Sequence, residues 1–267
     1  MSVLRILQEM EGFGSEAHRR FGRYSLLHVD VKIFWQLVRL LYSYPRLVGM
    51  RHDLFLLFGF WHAYHYAHVA LWNDFRHTFL GPVFFALYPD HKLMQRPKLT
   101  QSSTLFTWMR LAYPSFKSKL VAAIVELKQR LLSWQVQYAN EIVSGTRMET
   151  ALNPHLASYI HLTNLHMLFE FCIPCIQDYG CALKGNDWEA FFQSFNRMVV
   201  FFGCCMSRGA SDYYKSMLVF HHLLRYWIKM ELPVMELLRA NHTIFSEESG
   251  EIALSVRTRN LLPIELR

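Results

Sequence analysis

The sequence predicts a mostly α fold with a small β component (α+β), and three observations carry that expectation. Two short apolar runs near the start are each followed by helical periodicity; beyond Gly81 strand-like alternation disappears and only helical patterns remain. The composition, 52% hydrophobic and 15% aromatic with 18% charged residues over 267 positions, is far from that of disordered chains and supplies one large core or two modest ones.

The first run, "SLLHVDV" (25–31), is β-branched and apolar, as expected of a buried strand. In the following "KIFWQLVRLLYSYP", Ile33, Phe34, Leu37, Leu40 and Leu41 recur at helical spacing until Pro45 stops them, with Asp30 at the join. The plan repeats: "DLFLLFG" closes at Gly59, and "FWHAYHYAHVALWNDFRHTF" continues as helix to about Phe79, with His62 at the join. About six helices follow, in "LFTWMRLA", "SFKSKLVAAIVELKQRLLSWQVQYANEIV", "NPHLASYIHLTNLHMLFEFCIPCIQDYGCALKG", "NDWEAFFQSFNRMVVFFGCCMSRG", "ASDYYKSMLVFHHLLRYWIKM" and "LPVMELLRA". Asn153 and Asn186 are candidate caps and Gly145, Gly185 and Gly209 candidate stops. In the tail, Ser246 is placed to cap a helix beginning "EESGEIALSV".

Five cysteines, an odd number in apolar helical surroundings, are expected to be reduced, intracellular core residues. The C-x-x-C of Cys172 and Cys175 has no second pair at zinc-ribbon distance, and Pro174 is expected to kink its helix. The N-terminus has no secretory pattern. Leu54–Trp72 is the best membrane candidate, but it holds three histidines, which are costly inside a bilayer, so a membrane is not the favoured partner. The net charge of +7, with basic clusters at His18–Arg23, Lys92–Lys98 and the terminal "RTRN", favours a phosphate-bearing or other acidic partner such as nucleic acid.

His62, His65 and His68 stand at i, i+3 and i+6, so each step drifts by about 60° on a helix and the outer two end about 120° apart. A helix alone does not bring all three to one metal ion. His221 and His222 are the only obvious distant donors. In "KGNDWEAFFQSFNRM", Trp188, Phe191, Phe192 and Phe195 fall on one side of a helix capped by Asn186 or Asp187, a pattern explained by core packing.

Taken in order, "HVDVKIFWQLVRLLYS", "GFWHAYHYAHVALW", "RPKLTQSSTLFTWM", "LKGNDWEAFFQSFNRMVVFF", "DYYKSMLVFHHLLRYW" and "NHTIFSEESGEIALSVRTRN" resemble an uncharacterised domain family of transposon-derived eukaryotic proteins. That family is similar to degenerate transposases with a ribonuclease H-like core interrupted by a large helical insertion. The resemblance implies an N-terminal segment (1–24), strand–helix units of a partial core (25–80), a helical insertion (81–241) and a late helix with the tail (242–267). The expected role is that of a nucleic-acid-associated or protein-interaction module, located in the nucleus. Were the chain catalytic, as a nuclease or transposase, Asp30 would be a strand-end aspartate, His62 the histidine opening the next helix, and Glu247, Glu248 or Glu251 the late glutamate. Asp30, Glu248 and Glu251 would then hold Mg or Mn ions that activate water for phosphodiester cleavage. Two departures weigh against an intact enzyme: no first aspartate lies between Met1 and Tyr24, and Phe60 stands where sequences of the resembled family often carry an acidic residue. The expectation is either loss of catalysis or completion by the rest of a longer protein or another chain. Each candidate also has a plainer role: Asp30 as a helix cap, the glutamates as first-turn acids complementing a helix dipole.

Overall fold

The computed structural model describes residues 25–43, 54–91, 96–144, 153–185, 187–207 and 209–240. Its elements are mostly helical, with two short strands among the described residues. They divide into two compact units: Met1–Asp74 with Ile176–Arg267, and Phe75–Cys175.

In the first unit, strand β1 (Ser25–Val29) pairs in parallel with β2 (Leu54–Phe58), in a register that sets Val29 beside Phe58. Between them runs helix α1 (Val31–Ser43), whose buried residues Val31, Phe34, Leu37 and Leu41 keep the three-and-four spacing of one helical face. All five residues of β2 are buried, which accounts for a continuous apolar run in place of an alternating one. Helix α2 (Phe60–Phe75) follows after Gly59 alone.

Helices α7 (Trp188–Cys204) and α8 (Ala210–Lys229) complete this core. The Phe58 ring lies 4.9 Å from Phe60 and 5.9 Å from Phe220, Phe60 lies 4.7 Å from Phe191, and Phe55 meets Trp227 at 5.0 Å. Edge-to-face and tilted pairs of this kind add to plain area burial. These contacts put the helices after Ile176 in the same unit as the strands. Asp187 caps α7, its carboxylate accepting from the Ala190 N–H at 3.0 Å. The short α9 (Val234–Ala240) buries Val234, Leu237 and Leu238.

The second unit contains α3 (Leu80–Leu87), the 45-residue α4 (Leu99–Val143) and α5 (Leu156–Met167), continued by a π-helical turn at Leu168–Cys172. The two helices expected on either side of Pro114 are one: α4 runs through the proline. Proline supplies no N–H to the helix ladder, but Tyr113 and Phe116 flank the site and both pack on Phe169, at 4.7 and 5.3 Å, and the Ser115 hydroxyl donates to the Ala112 carbonyl at 2.6 Å. Tertiary packing thus holds a helix that propensity alone would end. Pro174 leads to a π-turn: the Ile173 N–H reaches the Leu168 carbonyl, five residues back, just before the proline in α6 (Ile173–Lys184).

The cysteines are free thiols. Cys175 is buried as expected, but Cys181 and Cys204 are exposed. Cys181 follows Gly180, which is the position pressed against the Tyr64 ring; one residue on, about 100° round the helix, the chain faces outward. No helix among the described residues is long and apolar enough to cross a membrane.

Candidate functional site

Parallel pairing brings both strands to an end at the same edge, so Asp30 and Gly59, the residues after Val29 and Phe58, leave the sheet side by side. The carboxyl ends of parallel strands are where open α/β sheets place their ligands. This edge is the candidate site.

Asp30 is exposed and begins α1: its Oδ1 accepts from the Lys32 N–H at 2.9 Å, and its carbonyl accepts from the Phe34 N–H at 2.8 Å. At least one carboxylate oxygen therefore serves the first turn of the helix. His62 is exposed in the first turn of α2, with its ring folded back over Gly59; a Cβ at position 59 would stand 2.6 Å from Nδ1, so glycine is what lets the imidazole lie across the strand end.

One turn beyond His62 on the same face, Tyr66 stacks on Tyr213 of α8, with centroids 4.7 Å apart and planes at 17°; Phe202 closes a three-ring cluster, 5.5 Å from Tyr213 and 6.4 Å from Tyr66. The Gly209 N–H donates to the Tyr66 hydroxyl at 2.9 Å. Burial, then the negative charge of Asp30, then Tyr66 and Asp212 push the Tyr213 phenol up to about 12. Tyr213 is thus a hydrogen-bond donor at neutral pH and not a base. The far end of α2 is tied down by Asp74, whose carboxylate accepts from the Met206 N–H at 3.0 Å and the Ser207 hydroxyl at 2.9 Å.

The histidine ladder resolves by burial. His62 and His65 are exposed, whereas His68, about 120° round from His62, is 5% exposed with its ring edge-on to Tyr64 at 4.8 Å. Burial, followed by His65 and Lys184, lowers the His68 pKa to about 3, so it is a neutral core group. Partial burial and His62 lower His65 as well. Among the described residues, no group of three or more His, Cys, Asp or Glu side chains comes together to hold a metal ion.

Of the residues expected to act together, the structure brings Asp30 and His62 to one edge; Glu247, Glu248 and Glu251 lie outside the described residues. Phe60, at the position where an acid was expected, is fully buried among Phe58, Phe191 and Phe220, so a carboxylate there would point into the core and not toward the edge. The tested donor set, one carboxylate already engaged as a cap and one imidazole, does not by itself make a two-metal site. Tyr66, Asp212 and Tyr213 were missed by sequence reasoning. The signal available was the four-residue step from His62 to Tyr66 and the acid beside Tyr213 at a helix start.

Compared with protein-family models, curated proteins and solved structures, the chain matches none. The arrangement can present a carboxylate, an imidazole and a protonated phenol to a polar ligand.

Proposed function

We propose that the chain is a nucleic-acid-associated module built on a remnant of a ribonuclease H-like transposase core, without phosphodiester cleavage of its own, and that it works in the nucleus. The observation that carries this reading is the placement of charge. Residues 75–175 hold ten Lys and Arg against five Asp and Glu, giving five of the seven net positive charges to the helical unit. A phosphate backbone is attracted to such an excess irrespective of sequence. The capping role of Asp30 supports the loss of cleavage, because the carboxylate already has work in the fold.

Binding of short duplex DNA, single-stranded DNA and RNA, followed by fluorescence anisotropy, tests the reading. The expected result is binding at low salt that weakens by at least about tenfold as salt rises from about 50 to about 200 mM. No binding to any of the three at low salt would overturn it. A second reading, a divalent-metal phosphodiesterase completed by another chain, is favoured by the placement of Asp30 and His62 at one strand edge. It requires Mg- or Mn-dependent nicking that disappears in Asp30→Ala.

A further inference from the structure

Helix α4 is apolar on two opposite faces. One is occupied within its own unit: Met109, Tyr113, Leu120 and Leu131 are buried. On the other, the positions spaced alternately by three and four from Trp108 to Val143 form a heptad seam that is apolar except at Ser115, Ser118 and Gln129, and every one of them is exposed. Trp108 is 59% exposed, Leu111 70%, Leu132 53% and Val136 63%.

We infer that this seam pairs with the same seam of a second copy of the chain, antiparallel, about a two-fold axis between Ala123 and Ile124. In that register Trp108 meets Ala139 of the second copy, Leu111 meets Val136, Ser115 meets Leu132, Ser118 meets Gln129 and Ala122 meets Val125, so no layer sets two small residues or two identical residues against each other. The flanking charges agree: Lys119 lies beside Glu126 of the second copy, a carboxylate that also pairs with Arg130 one turn along its own helix, and symmetry repeats the contact. A parallel pairing would stack Ser on Ser at positions 115 and 118, Ala on Ala at 122 and Gln on Gln at 129, and would bring Glu126 beside Val121, with no opposite charge. Size and charge therefore both select the antiparallel second copy. The opposing term is the net positive charge of each helical unit, which is screened beyond about 8 Å at physiological salt.

Sedimentation of the full chain at physiological salt, from low to high micromolar concentration, tests the pairing. The expected result is a reversible dimer. Lys119→Glu and Glu126→Lys should each weaken it about tenfold, because two symmetric attractions become two repulsions. The double variant should recover most of the loss, whereas a merely local effect on α4 would accumulate. Val136→Asp should give a monomer with unchanged helix content, since the side chain is exposed in the single chain. A chain that stays monomeric throughout, or a dimer indifferent to all four variants, would overturn the inference. So would a monomeric chain that takes up an acidic helical peptide on this seam.

Discussion

Lowering the pH from 7.5 to 5 should destabilise the strand-bearing unit through His68, and replacing His68 with Leu should remove that part of the loss. The imidazole is 5% exposed, and its pKa falls from 6.5 to about 3. The unfolded chain therefore binds a proton near pH 6.5 that the folded chain refuses until about pH 3, and stability rises with pH across that window. At pH 5 the unfolded state has gained about 1.5 pH units of protonation, worth about 2 kcal/mol. His65 is lowered too and acts with the same sign; the lowered Glu170 carboxylate acts only below its ordinary value of 4.5, outside the range measured. Urea unfolding at several pH values between 5 and 7.5, in wild type and His68→Leu, isolates the contribution. The wild-type loss should exceed that of the variant by about 2 kcal/mol. Parallel curves, agreeing within about 0.5 kcal/mol, would refute a neutral buried His68. Should the leucine variant not fold, His68→Asn keeps a neutral polar group and makes the same comparison.

Phe60→Ala empties the centre of the aromatic cluster around Phe58, Phe191 and Phe220 and should lower unfolding free energy by about 3–5 kcal/mol, while Phe60→Leu, which keeps most of the volume, should lose under about 2 kcal/mol; chemical denaturation measures both. Gly180→Ala would set a methyl 2.4 Å from Cε2 of the buried Tyr64 ring and should destabilise by about 1–3 kcal/mol. That loss should shrink by at least about 1 kcal/mol in a Tyr64→Leu background, because the two positions share one space.

The strand–helix plan at the start was legible because each piece had its own local signal. β-Branched or continuous apolar runs ended at Asp30 or Gly59, and the helices kept a single apolar stripe. Asp30 and His62 were legible as joins for the same reason. Pro114 misled because its removal of one ladder bond is local, whereas the packing of Tyr113 and Phe116 on Phe169 links residues about fifty positions apart and leaves no periodic trace. Tyr66 and Tyr213 were hidden in a different way. An aromatic at helical spacing gives the same pattern whether it fills a core or lines an edge, and only their mutual stacking near Asp30 separates the two.

The seam on α4 was hidden by symmetry. A helix with one apolar stripe declares which side is inside, but two stripes on opposite faces cancel, leaving a helix that is readable as a helix with no inside assigned. The fold supplies the missing half: once Tyr113 and Leu120 are buried within the unit, the exposed Leu111, Leu132 and Val136 become a surface in need of a partner. Burying the two faces against different molecules is the physical reason for a helix of 45 residues, about 68 Å long, to be apolar on both.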